Sequence, residues 1–331
     1  MRRTLHLFAA VTIPLIIVGC DSTQAAQTDY EPRTRLMSYN IRHCQGSDRK
    51  VNVQRVADVI MREKPDFVGL NEVDCQSGRA HGLNEAMELG WLTGLHATFA
   101  KAIPLQGGEY GNAVLSREKP ISVERIPLPG KEPRVLLLCE FTDFWFGTMH
   151  LDFGKHQLKS VSVVRDVVAR KAKGKPVFLT GDWNATPKSK TLAAMREFMT
   201  IISKEDSLTF HGFKNRPPGH QYCIDYIAVD SGYATGVKVC ESHVTDNITA
   251  SDHNPVLVSV VLSAVERSAG IASTVSADAS GRVEISESPD MSGARRVYSG
   301  GFGMMEMNDR MAQILVRDLR SRRIEWKNKT R

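Results

Sequence analysis

Six apolar runs in this 331-residue chain each meet a carboxylate, an amide or an imidazole at or near one end. Thr34–Ile41 ends around Asn40, and Phe67–Leu70 runs into Asn71-Glu72. Trp145–His150 gives way to Leu151-Asp152, and Phe178–Thr180 passes through Gly181 to Asp182-Trp183-Asn184. Asp225 interrupts Tyr222–Val229, and Asp252-His253 precedes Val256–Val261. Runs of this length, rich in β-branched and aromatic residues and bounded by Gly, Pro and Asp, predict strands. A polar group at the end of a buried strand needs a partner, so each has an ordinary reading as a cap or turn residue. Six together supply carboxylates, amides and imidazoles from separate segments, which is how active sites on layered folds are assembled.

Asp182 and Asn184 show both readings at close range. Two positions apart on an extended segment, they point to one face and reach one point together. An Asx-type turn, with each side chain bonded to its own backbone, is the alternative. The inventory narrows the chemistry. Oxygen donors without clustered thiolates suit a hard cation, magnesium, manganese or calcium, rather than structural zinc. The chain carries neither a serine nucleophile elbow nor a phosphate-cradling glycine loop. A hard cation with two histidines and further carboxylates fits phosphoester hydrolysis.

In chain order, Thr34–Ile41, a helix over Asn52–Glu63 capped by Asn52, and Phe67–Leu70 predict a βαβ-like start. Leu83–Leu92 predicts a second helix. Asn112–Leu115, Ile121–Ile126, Val135–Phe141 and Trp145–His150 predict an antiparallel meander. Gln157–Lys171 and Leu192–Phe198 return to helix, and strands follow at Tyr222–Val229, Val237–Val244 and Val256–Val261. With 42% hydrophobic and 24% charged residues the chain can bury a full core. The formal charge of +6 includes Arg2 and Arg3 and is too mild to argue for nucleic acid or an anionic membrane.

Residues 1–20 read as a secretory signal, with Arg2-Arg3 followed by an apolar run too short to span a bilayer. Its end, Ile17-Val18-Gly19-Cys20, resembles a bacterial lipoprotein signal, in which Cys20 is lipidated. Residues 21–33 would then be a polar tether, placing the protein on a membrane that faces the periplasm or cell exterior. The remaining cysteines, Cys44, Cys75, Cys139, Cys223 and Cys240, are odd in number and without a close pair, so no disulfide framework is expected. Residues 263–331 begin as a Ser/Ala/Gly-rich linker and continue as a basic extension. Within it, Met304–Trp326 shows helical spacing.

The ordered segments resemble the endonuclease/exonuclease/phosphatase superfamily, the fold of pancreatic-type deoxyribonuclease. They are Ser38-Tyr39-Asn40-Ile41-Arg42, Gly69-Leu70-Asn71-Glu72-Val73, Gly111–Arg117, Thr148–Asp152, Gly181–Pro187, Ile224–Ile227 and Ser251–Pro255, with Thr209–Phe213 as in bacterial members. The resemblance spans residues 34–262. It implies a four-layer α/β sandwich, two mixed β-sheets face to face with helices outside. It also implies metal-dependent hydrolysis of a phosphodiester or phosphomonoester. Glu72, with Asn40 and Asp252, would hold the principal metal. His253, paired with Asp225, would be the general base. Asp182 and Asn184 would place water and phosphate, and His150 would bond a phosphate oxygen. Arg42 is either a phosphate contact or a surface ion pair, and Asn112 either supports the site or is an ordinary strand residue. Trp183 either narrows the site or packs in the core. The substrate is a nucleic acid, a phospholipid or sphingolipid head group, or a small phosphate ester, and a monomer is expected. A nuclease would use Arg42, Lys101 and Lys214-Asn215-Arg216 as a phosphate track. A non-catalytic binding module keeping the fold is the remaining alternative. For the anchor, Cys20→Ser is expected to release the protein from membranes in a fractionation assay; unchanged partitioning would remove the lipidation reading.

Overall fold

Two-sided burial of the first strand, β1 (Thr34–Asn40), sets the layers. Leu36 turns to one apolar cluster, and Met37 and Tyr39 turn to another, the alternation of a strand covered on both faces. The structure is a computed structural model and describes residues 33–216, 219–246, 249–262, 274–277 and 283–286. The signal segment, the tether up to residue 32 and the 304–326 helix reading lie outside the described residues.

α1 (Val53–Glu63) joins β1 to β2 (Phe67–Cys75), and the two strands pair in parallel. The Asn52 side chain accepts from the Arg55 N–H at 3.0 Å and caps α1 as expected. α2 (Glu85–Thr93) starts at Asn84 and ends at Gly94, whose φ of 73° favours glycine. β3 (His96–Leu105) and β4 (Gly108–Ser116) form a hairpin through Gln106-Gly107. β5 (Ser122–Leu128), β6 (Arg134–Glu140) and β7 (Trp145–Met149) follow as an antiparallel run. α3 (Gln157–Lys171) then leads to β8 (Val177–Asp182), parallel to β7. α4 (Lys190–Met195), β9 (Met199–Ile201), β10 (Asp225–Asp230), β11 (Val237–Val244) and β12 (Val256–Leu262) complete the unit.

Two six-stranded mixed sheets result, in the orders β11-β12-β1-β2-β4-β3 and β5-β6-β7-β8-β10-β9. Leu36, Phe67 and Val114 of the first meet Leu137, Phe146 and Phe178 of the second in the middle layer. α1 and α2 cover the outer face of the first sheet through Val56, Ile60 and Leu89. α3 and α4 cover the second through Val161, Val164 and Leu192. This is the expected four-layer sandwich. The expected meander is instead divided between the sheets, because β3 and β4 pair back onto β2 while β5–β7 build the other sheet. The strand expected from Tyr222 begins at Asp225, after a short 3-10 turn over His220–Tyr222. The chain divides into Met1–Val265 and Glu266–Arg331. In the second unit β13 (Thr274–Ala277) pairs antiparallel with β14 (Val283–Ser286), so β13 falls inside the stretch read as linker. Among the described residues no helix is long and apolar enough to cross a membrane.

Two glycines let the layers close at the end where the polar residues gather. A Cβ on Gly69 would collide with the Thr180 hydroxyl of the facing sheet. One on Gly181, at φ 137°, would collide with the Met149 carbonyl oxygen. Gly181→Ala is expected to destabilise the protein by about 3 kcal/mol or more, read from the denaturant midpoint. A loss below about 1 kcal/mol would mean that the ends of β7 and β8 relax freely.

Candidate active site

Parallel pairing of β1 with β2, and of β7 with β8, brings four strand ends to one side of the sandwich. Asn40 ends β1, His150 follows β7, and Asp182 ends β8. Asp225 opens β10, which runs antiparallel to β8 and faces Asp182 in register. Glu72 comes from a bulge: the pairing of β2 with β4 slips between Leu70 and Val73, and Glu72 sits at φ 56°. An extra residue at a bulge re-aims a side chain.

Asn40 donates through Nδ2 to Glu72 Oε1 at 3.0 Å and Asp182 Oδ2 at 3.1 Å, and lies 3.4 Å from His253 Nε2. Its Oδ1 accepts from the Arg42 N–H at 3.0 Å, so as found the amide holds carboxylates together; ligation through oxygen would need the amide turned. His253 donates from Nδ1 to Asp225 Oδ2 at 2.9 Å, leaving Nε2 facing Asp182 Oδ2 at 3.6 Å. Asp182 Oδ1 accepts the Asn184 N–H at 2.9 Å, so the turn reading of this pair and the site reading hold together. Asn184 Nδ2 lies 3.0 Å from His150 Nε2 and donates to Leu151 O. His150 Nδ1 accepts from Arg134 at 3.2 Å, which places the ring proton on Nε2, 3.5 Å from Asp182 Oδ2.

The loop before β12 is fastened from three directions. Ser251 Oγ donates to Asn40 O, His211 N–H donates to Asp252 O, and Asn254 N–H donates to Thr209 O. Thr209 Oγ1 also receives the backbone N–H groups of Ile224 and Asp225, and the Phe210 ring lies 4.8 Å from that of His253. Asn71 is the main link across the sheets. It donates to Asn112 Oδ1 at 3.0 Å and Thr148 Oγ1 at 3.1 Å, and accepts from Asp182 N–H at 2.8 Å. Asn112 therefore supports the site, bonding Asn71 and the Val135 carbonyl.

These groups line a cavity of about 400 Å³, with Tyr110, Glu132, Arg134, Phe153 and Ile224 as further walls. Burial raises the Asp182 pKa to about 7, aided by Asp225, and burial also raises Glu72 against the Asn40 hydrogen bond. Burial opposes charge on His253, but Asp225 and Asp182 outweigh it and raise the imidazole to about 10. Burial and Arg134 lower His150 well below its usual range, so it stays neutral. Carboxylates thus exceed buried cations. Ligand atoms of Asp182, Asp225 and His253 lie within 4.8 Å of one another, and Asp225 Oδ1 is buried without a partner among the described residues. That set fits a hard cation.

A family model described as Endonuclease/Exonuclease/phosphatase family matches residues 37–253. The chain belongs to that family. Its members hydrolyse phosphoester bonds, and this chain is such a hydrolase. Among solved structures, the family protein from Beutenbergia cavernae is 22% identical, with TM-score 0.59 over 80% of this chain and 83% of that one. The family protein from Bacteroides vulgatus is 21% identical, with TM-score 0.58 over 70% and 99%. A mannosyl-6-phosphatase from Bacteroides thetaiotaomicron is 19% identical, with TM-score 0.55 over 69% and 100%. No curated protein matches the chain.

The family's strand-end residues Asn40, Glu72, His150, Asp182, Asn184, Asp225 and His253 are brought together. Asp252 lines the cavity, but Arg42 Nε pairs with it at 3.3 Å and stacks over Phe213, so Arg42 is an ion-pair partner rather than a free phosphate donor. Trp183 is 0% exposed and packs on Tyr226 in the core beneath α3 and α4, so it does not narrow the site. Cys44 and Cys75 are both free. Arg134 and Tyr110 were not singled out, and Asn71 was noted only within its motif. Arg134 begins its strand, where a charged residue reads as an ordinary boundary. Removing the Asn71 amide strands the Asp182 N–H and the Asn112 and Thr148 groups. Asn71→Ala is expected to cost about 2–4 kcal/mol in denaturant unfolding and to lower activity; wild-type stability would refute the bridging role.

Proposed function

We propose that the protein is an exported, lipid-anchored, metal-dependent phosphoesterase that attacks phosphorus with water. The observation that carries this reading is the Asp225–His253 pair aimed across the cavity at Asp182, with Asn40 and Glu72 beside it. The Asp225 carboxylate fixes the His253 tautomer and leaves Nε2 to take the proton of the attacking water. Asp182 and Asn184 place that water and the phosphate, and His150 Nε2–H donates to a phosphate oxygen. Glu72, with Asp182 or Asp252, would hold a divalent cation, magnesium or alternatively manganese or calcium, whose charge offsets that of the phosphoryl oxygens. With Glu72 and Asp182 neutralised in this way, the pull that keeps His253 protonated falls mainly on Asp225.

A small phosphate ester suits the site better than a nucleic acid. Of the cations proposed for a phosphate track, Arg42 is paired to Asp252 and Lys101 to Glu109 at 3.0 Å. Arg216 lies between Phe210 and Tyr222. The mannosyl-6-phosphatase relative supports the same direction. The signal and Cys20 support export and anchoring from sequence alone, and a scavenging role outside the cytoplasmic membrane follows from them.

The test is hydrolysis of bis-aryl phosphodiester and aryl phosphomonoester with and without chelator. Turnover is expected to vanish with chelator and return with magnesium. His253→Ala and Glu72→Gln are expected to lose about 10²–10⁴-fold in kcat while keeping the wild-type circular dichroism. Chelator-resistant turnover, or full activity in either variant, would overturn the roles assigned.

A further inference from the structure

Arg134 opens β6 and is 7% exposed, yet it lines the cavity. Its three protein contacts all fall on Nη1: His150 Nδ1 at 3.2 Å, Glu132 Oε1 at 3.0 Å and the Tyr110 hydroxyl at 3.5 Å. Nε is buried with no partner among the described residues, and Nη2 makes none of these contacts. The edge of the guanidinium that forks onto two oxygens is therefore left without a protein acceptor. A buried, permanently charged group with open donors is costly unless a ligand completes it.

Resting on the hydrolase reading above, we propose that Arg134 binds a terminal phosphate oxygen and makes the site selective for phosphomonoesters over phosphodiesters. A monoester carries close to two negative charges at neutral pH and three terminal oxygens; a diester carries one charge and two. Asn184 and His150, on the β7–β8 side, serve terminal oxygens near Asp182. The extra anionic oxygen of a monoester meets the Arg134 fork beside His150. In a diester a carbon substituent replaces that oxygen, and a substituent turned toward Arg134 leaves a desolvated cation facing an apolar group. Glu132, which holds Nη1 at the cavity wall, keeps the guanidinium from swinging out to solvent.

The experiment compares kcat/KM for an aryl phosphomonoester and a matched aryl methyl phosphodiester in wild type, Arg134→Gln and Arg134→Lys. The inhibition constant of inorganic phosphate is measured alongside, and folding is checked by thermal melting. Arg134→Gln is expected to lose roughly a hundredfold on the monoester and to bind phosphate correspondingly more weakly, with the diester changed by less than about fivefold. Arg134→Lys, which keeps the charge and loses the fork, is expected to fall between and serves if the glutamine variant does not fold. Equal losses on both esters, unchanged phosphate inhibition, or a wild type that cleaves only diesters would overturn the selectivity while leaving the hydrolase reading intact. A wild type that cleaves neither would remove the hydrolase reading itself, and the selectivity with it.

Discussion

The Asn71 side-chain amide is the contact that makes two sheets into one site. Apolar packing between the sheets, such as Phe67 against Phe141 and Phe144, is favourable at many small offsets and so sets a separation without fixing a register. Three hydrogen bonds from one buried amide are directional, and they reach Asn112 in one sheet and Thr148 and Asp182 in the other. Gly69 permits the approach that those bonds need. Once they form, the ends of β1 and β2 stand opposite those of β7 and β8, and the distances among Asn40, Asp182 and His253 follow. Asn71 meets no reacting group, but the geometry of those that do depends on it.

The same closeness creates an electrostatic burden. Glu72, Asp182 and Asp225 are gathered where burial raises two of them, and His253 and Arg134 are the counter-charges from within the protein. Folding has to carry this repulsion from the apolar layers on either side, a common arrangement at catalytic sites. It also divides the labour between two histidines. His253 is surrounded by carboxylates and its imidazole is held basic, whereas His150 lies against Arg134 and is held neutral. One fold end thus contains a proton acceptor and a neutral donor only because opposite charges flank them.

The sequence was readable where chemistry and strand end coincide in parallel strands. Asn40, Glu72, His150 and Asp182 close apolar runs, and the end of a parallel strand shares its side of the sheet with the end of its neighbour. Asp225 stood out because it interrupts an apolar stretch. Arg134 and Tyr110 belong to antiparallel strands, where the strand's beginning or middle lies at the site, and only the pairing order shows that. β3 went unread because an edge strand with mixed exposure and a proline has no clean alternation. Trp183 was ambiguous for a related reason: flanked by two site residues, it turns to the opposite face, where α3 and α4 cover it.

β12 is the last strand of its unit, yet it lies inside the first sheet, between β11 and β1. During synthesis β1 therefore waits with an unpaired side until more than two hundred later residues have been made. The loop bearing Asp252 and His253 arrives with that strand. The final closure of the sheet and the delivery of the base are then one event, with the most sequence-distant pairing in the unit as its slow step. Partly folded chains hold their acidic residues in water, unassembled. The interior position of β12 thus works as a temporal lock, tying chemical competence to completion of the chain.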